Sequence, residues 1–319
     1  MLDLLYSVLI GPLRDMGSAP AFLVEVIIGG LAAGLMYSLV ALGFVLIYKA
    51  SGVFNFAQGV MVLFAALTLV GLMERGAPLI LALLATAAVM GALAFAIERV
   101  VLRPLVNQEQ IILFMATIGL NFFLEGFGEL AWGSDVKRLD VGIPDSSFIV
   151  WGVQINRLEM TAALTAGVLV AVMAVFFQRT RIGRALRAVA DDHEAALSIG
   201  IPLNTIWIVV WSAAGLVAIV AGIMWGAKSG VQFSLSLIAL KALPVLILGG
   251  FTSVPGAIVG GLIIGAGEKL SEVFLAPILV KQFDLAGGGI ENWFAYVLAL
   301  VFLLFRPQGL FGERIIERV

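Results

Sequence analysis

The sequence has no cysteine, a single histidine (His193), and few charges: Asp, Glu, Lys and Arg make up 13% of its 319 residues. Without thiols there are no disulfides, thiolate metal sites or cysteine nucleophiles, and one imidazole cannot build a multi-histidine centre. Nor is there an excess of either sign. Lys and Arg number 19 against 21 Asp and Glu, a net charge of -2, so no basic surface exists for binding nucleic acid. A soluble globular chain carries about 25% charged residues, and this one is short of the surface that water requires. What is abundant is apolar: 61% of residues are hydrophobic, and the 36 glycines fall inside apolar runs, where small residues let helices approach closely. The composition is that of an integral membrane protein in contact with a lipid bilayer.

Asp3 stands where a secretory signal would carry positive charge, so residues 2–12 read as a short interfacial segment. Beyond it, runs of spanning length, about 20 apolar residues each, recur at 22–48, 59–73, 79–97, 111–131, 159–178, 204–226, 236–250, 256–275 and 292–305. The predicted fold is therefore an all-α polytopic membrane protein of eight to nine transmembrane segments, some short or broken, forming one transmembrane domain over 1–319. The second and seventh runs are short enough to be half-helices or re-entrant pieces. Arg179, Arg181, Arg184 and Arg187 form a compact cluster that marks the loop 179–203 as cytoplasmic, with the tail 306–319 on the same side. Trp132, Trp225 and Trp293 fall at predicted outer ends and Trp207 at an inner end, as interfacial belts require; Trp211 does not fit. The four runs before and after the fifth then run in opposite directions, the arrangement of an inverted repeat.

Within the loop, Asp191 is placed to cap a helix whose Glu194 reaches back in a capping box, with Asp192 in the same turn. Gly200 supplies a left-handed stop and Pro202 prevents continuation. The helix displays Ala195, Ala196, Leu197 and Ile199, which would suit a groove on another protein; an ordinary surface helix is the plainer alternative.

Glu194-Ala-Ala followed three residues later by Gly200 resembles the EAA loop of ABC importer permeases. Asn55-Phe-Ala-Gln-Gly59, Gly249-Gly-Phe-Thr-Ser-Val-Pro-Gly-Ala257 and Arg306-Pro-Gln-Gly-Leu-Phe-Gly312 narrow this further, and together they resemble the LivH-type permease of branched-chain amino acid importers. One departure is that nothing after Gly200 matches the Ile-x-Leu-Pro continuation of other importers. The resemblance implies a permease subunit of an ATP-driven importer in a bacterial cytoplasmic (inner) membrane. Its partners would be a second related permease, two cytoplasmic ATPases and an external substrate-binding protein. Asp191, Asp192, Glu194, Ala195, Ala196 and Gly200 would form the ATPase-coupling element. The chain itself would be no enzyme and would bind no cofactor or metal; ATP and Mg would sit on the ATPase subunits. Consistent with this, no Gly-x-x-x-x-Gly-Lys-Ser/Thr occurs, and Gly265-Ala-Gly-Glu-Lys269 puts Glu268 where such a loop must approach phosphate.

Ionisable and polar groups inside spans cost about 2.5 to 3.5 kcal/mol for charged types, so each asks for a reason. Thr117, Asn121 and Glu125 recur every four residues and share one face of the fourth run, as a passage or as interhelical hydrogen bonding. Asn55 and Gln58 flank a break, where they could meet a solute or satisfy freed backbone. The resemblance favours a solute pathway built from Asn55, Gln58, Thr117, Asn121 and Glu125. Glu25, Lys49, Glu98 and Lys269 lie near predicted ends and read as structural, and Lys241 has only Glu268 or Glu272 as a prospective partner. Branched-chain or related small amino acids are the expected cargo, with urea or short amides as the alternative within the family. A different class, an ion-coupled secondary transporter, is suggested by the broken helices and intramembrane carboxylates.

Overall fold

A bilayer offers the backbone no water, so apolar runs fold into helices whose amides are paired internally. The computed structural model describes residues 16–105, 108–191, 196, 198–283 and 289–312; the proposed interfacial segment 2–12 lies outside them. In chain order the helices are α1 (Pro20–Ser51), α2 (Gln58–Glu74), α3 (Leu79–Ala96), α4 (Gln110–Trp132), α5 (Arg157–Arg179), α6 (Arg181–Asp191), α7 (Leu203–Ser229), α8 (Ile238–Gly249), α9 (Val254–Leu270), α10 (Ala276–Phe283) and α11 (Ile290–Phe305). A π turn (Ile97–Leu102) and a 3-10 turn (Arg103–Leu105) prolong α3, and a second π turn (Ser271–Leu275) joins α9 to α10. All nine expected apolar runs are helical. Five helices (α1, extended α3, α4, α5 and α7) are long and apolar enough to cross a membrane. The seventh and eighth runs form a pair bent by 113° at a short break, and α2 and α11 are shorter apolar helices.

The centre of the bundle is α1, buried along most of its length and packed on α9 without side chains between the backbones. A Cβ built on Gly30 would lie 2.8 Å from the Ala266 Cα, and one on Gly34 would lie 3.0 Å from the Gly261 carbonyl carbon. The Gly30-x-x-x-Gly34 and Gly261-x-x-x-Gly265 stripes thus serve contacts inside this chain. Ser38 extends the seam, its hydroxyl donating back to the Gly34 carbonyl at 2.8 Å. In α8, Pro244 has no N–H to offer the Leu240 carbonyl. The Tyr296 hydroxyl of α11 donates to that oxygen at 2.7 Å instead.

The two ends of the bundle are distinct. At the arginine-rich end, Trp207 Nε1 donates to the Ala50 carbonyl, and the amides of Leu310 and Phe311 donate to the carbonyls of Leu248 and Gly249. At the opposite end Gln154 N donates to Glu25, Lys228 pairs with Glu159, and Lys137 pairs with Glu74. The same end carries a hairpin of β1 (Ser147–Val150) and β2 (Val153–Asn156), turned through Trp151 and Gly152, both at positive φ.

Two of the tryptophans correct the sequence expectation, while Trp293 is exposed near the start of α11 as expected. Trp207 and Trp225 do lie toward helix ends, but both are buried in protein, and Trp211 is a core residue. Glu98, expected to reach water, is 2% exposed within the π turn. The outward faces of α3, α4 and α5 instead carry bare apolar side chains such as Leu84, Phe122 and Val168, which water would penalise and lipid accepts.

Candidate functional site

Gly52 closes α1 in the left-handed region with its amide on the Tyr48 carbonyl, and the chain turns back before α2 begins. The first residue of α2, Gln58, lies against Gly43, where a Cβ would be 2.8 Å from the Gln58 carboxamide carbon. Gly43 is eight residues inside α1, about 12 Å from its end at 1.5 Å per residue. The helix α2 therefore starts at depth. Asn55 is fully buried here. Its Oδ1 accepts from the Ala57 amide at 3.1 Å, and its Nδ2 points to Gln58 Oε1 at 3.4 Å. Gln58 is likewise buried, with its Nε2 unpartnered among the described residues. Gly59 completes the turn, because a Cβ there would lie 2.7 Å from that of Ala239.

Across from this break is α4, and its polar stripe divides. Thr117 is buried; its hydroxyl accepts from the Phe56 amide at 3.0 Å and donates to the Phe114 carbonyl at 2.8 Å. One and two turns further on, Asn121 and Glu125 are only partly buried and border a cavity of about 230 Å³. Its other walls are mostly aromatic and aliphatic, with Phe44 from α1, Phe54 and Phe56 from the break and Leu237, Leu240 and Leu243 from α8 and the turn before it; Ser236 also borders it, its hydroxyl donating to the Phe233 carbonyl. Such a site offers an apolar wall for a hydrocarbon side chain and two polar groups for orientation, without enclosing a solute tightly. Asn55, Gln58 and Thr117 do not line it. They hold the broken segment that does.

The loop between α5 and α7 is more ordered than the sequence reading allowed. Ile182, Ala185, Leu186 and Val189 recur at helical spacing among the arginines and make α6 amphipathic. The Thr180 hydroxyl accepts from the Gly183 amide at 3.1 Å, capping the start of α6. Arg187 turns back to donate to the Phe177 carbonyl at 2.8 Å, satisfying the end of α5. Asp191 closes α6. Gly200 adopts φ +84°, and the Ile201 amide donates to the Ala196 carbonyl, as a left-handed helix stop requires. Ala196 is buried. Asp192, Glu194 and Ala195, and the side chain of Asp191, lie outside the described residues, and the proposed capping box with them.

Two of the sequence motifs meet in space. Gly250 at φ +102° and Gly309 at φ +80° approach so closely that a Cβ on Gly309 would lie 2.6 Å from the Gly250 amide nitrogen. Residues 306–312 are thereby latched to the turn between α8 and α9. The glycine-rich character of both motifs follows from this backbone-to-backbone contact.

The family model described as branched-chain amino acid transport system / permease component matches residues 26–306. The BraD high-affinity branched-chain amino acid transport system permease protein of Pseudomonas aeruginosa is 30% identical over 309 residues, covering 92% of this chain and 97% of that protein. The corresponding LivH protein of Escherichia coli K12 is 28% identical, covering 93% of this chain and 98% of its own length. A probable LivH of Methanocaldococcus jannaschii is 28% identical over 86% of this chain and 88% of that protein.

Proposed function

The chain belongs to the family of branched-chain amino acid transport system permease components, and we propose that it passes branched-chain or related small amino acids through the membrane as the permease subunit of an ATP-driven importer. Members of this family are transport subunits rather than enzymes. Partners of two kinds follow from the family, ATPases and a binding protein; we take the full assembly to hold a second related permease and two ATPases, with the arginine-rich end cytoplasmic in a bacterial inner membrane. ATP and Mg belong to the ATPases in this reading. Asp191, Asp192, Glu194, Ala195, Ala196 and Gly200 make up the coupling element.

The observation that carries the pathway is the cavity bordered by Asn121 and Glu125 beside the break at 52–57. A branched aliphatic side chain fits the phenylalanine and leucine wall, while the amide and carboxylate supply contacts weak enough to permit release. Asn55, Gln58 and Thr117 support that wall by fixing the turn into α2.

The test is reconstitution of the chain with its permease partner, ATPases and binding protein in vesicles. Leucine accumulation should require ATP and all components. Accumulation by this chain alone, driven by an ion gradient, would instead establish a secondary transporter.

A further inference from the structure

A second polar cavity, of about 270 Å³, lies at the end of the bundle opposite the arginines, separate from the Asn121 and Glu125 cavity. Its rim carries Lys228 and Glu159, paired at 2.7 Å, where α7 ends and α5 begins. Further in, Lys241 of α8 pairs with Glu268 of α9 at 3.1 Å. The 113° bend between the α8 and α9 segments is what sets these two helices side by side, and Glu268 is 7% exposed. Pairing lowers the cost of burying the Glu268 carboxylate without removing it, so the site invites a reason beyond stability.

Its composition supplies one. Three ammonium groups border the cavity, those of Lys228, Lys241 and Lys269, and each is matched to a carboxylate. A fourth carboxylate, Glu291 in the first turn of α11, borders it too and makes no ion pair among the described residues. The wall between holds Tyr37 stacked on Trp225 at 5.5 Å between ring centroids. Both rings are buried and already engaged, with Lys241 Nζ 5.8 Å from the Tyr37 centroid and Lys228 Nζ 5.7 Å from that of Trp225, so they position the two lysines and leave Glu291 as the carboxylate open to a solute ammonium. A carboxylate without an ion-pair partner attracts an organic ammonium. Among the described residues no three acidic or histidine side chains converge for a metal ion.

We propose that this cavity is a binding site for a small zwitterionic amino acid, its ammonium held by Glu291 and its carboxylate facing Lys241. The side chain of Lys241 is 36% exposed while that of Glu268 is 9% exposed, so the ammonium and not the carboxylate of this pair is the accessible member. The Lys241 ammonium has three N–H donors, so it keeps Glu268 while offering another to a solute carboxylate, and no buried carboxylate is left unpaired. The site rests on the amino-acid import reading and gives the solute a station inside this one chain.

Titration calorimetry on the purified full chain in nanodiscs tests it with three probes: leucine, isoamylamine (leucine without its carboxylate) and isocaproate (leucine without its ammonium). Isoamylamine and leucine should bind and compete, and isocaproate should not bind. Glu291→Gln should weaken both amines by about tenfold, the equivalent of 1.4 kcal/mol. The double change Lys241→Met and Glu268→Gln, which leaves no unpaired charge, should weaken leucine alone. Failure of isoamylamine to bind the unmodified chain, or binding of isocaproate as tight as isoamylamine, overturns the site without any variant having to fold. Unchanged amine binding in Glu291→Gln overturns it as well. ATP-driven leucine uptake by the assembled complex addresses the import reading separately: no uptake with intact amine binding sinks that reading and leaves the cavity, whereas normal uptake with no amine binding does the reverse.

Discussion

The Thr117 hydroxyl accepts the Phe56 amide at 3.0 Å and so joins α4 to the turn that starts α2 at depth. The bond satisfies a backbone donor freed by the break, where lipid could not. A threonine that looks like the first member of a solute-lining stripe is thus engaged in holding the wall.

Thr117→Val keeps the shape and removes the acceptor, leaving the Phe56 amide unpaired. We expect a loss of about 1–3 kcal/mol, read as a lower melting temperature and lower abundance in detergent extracts. Uptake per assembled complex should change little.

Asn121→Leu should show the converse. The residue borders the cavity and anchors nothing among the described hydrogen bonds, so melting temperature and assembly should hold. Uptake should slow about fivefold, the worth of one polar contact of roughly 1 kcal/mol. A normal rate per assembled complex would take Asn121 out of the pathway.

Gly261→Ala introduces a methyl 2.6 Å from the Gly34 carbonyl oxygen and against the Ser38 hydroxyl. Over-packing of this kind costs about 1–3 kcal/mol or more, and the protein should fail to accumulate at normal levels. Gly91→Ala is the matched control in α3, because a Cβ there meets nothing within 4 Å. It should leave stability unchanged or raise it by up to about 1 kcal/mol. Equal abundance of the two variants would contradict the packing.

At Gly200 space is open and only the backbone is special, at φ +84°. Valine there costs about 1–3 kcal/mol of backbone strain, whereas asparagine tolerates the left-handed region. Gly200→Val should lower ATP-dependent uptake and co-purification of the ATPases, with the chain still inserted, and Gly200→Asn should retain most of both. Full activity of the valine variant would remove the coupling role.

The sidedness is testable in a chain without cysteine. Single cysteines at Ser146 and Ser198 should label from opposite faces, with Ser198 cytoplasmic. Labelling of both from outside in intact cells would reverse the proposed orientation.

Most of the helices are legible in the sequence because hydropathy alone sets them, and the break before α2 is marked by Asn55, Gln58 and Gly59 interrupting apolar runs. The helix α6 carries a readable signal in Ile182, Ala185, Leu186 and Val189, hidden among arginines that speak first of orientation. The hairpin at 147–156 is less legible, since Trp151-Gly152 lacks the Asn-Gly signature of a tight turn. Buried Trp207 and Trp225 have the same chemistry as interfacial tryptophans, so only tertiary packing separates the two roles. The division of the Thr117, Asn121 and Glu125 stripe is likewise invisible in spacing, because what distinguishes its members lies on another helix. Lys241 meets Glu268, one of the two partners the sequence offered, across a bend whose 113° angle no local pattern encodes.

The glycine seam of α1 and α9 has a mechanical meaning. Where backbone rests on backbone there are no rotamers to exchange and no methyl groups to slide past each other, so the two helices have one geometry at short range and are stiff against shear. They form the strut of the subunit. Any cycle that opens the Asn121 and Glu125 cavity first to one face and then to the other must leave this strut intact and tilt α4, which meets it through no such seam, taking the turn before α2 with it through the Thr117 hydroxyl, which meets both the Phe56 amide and the Phe54 carbonyl.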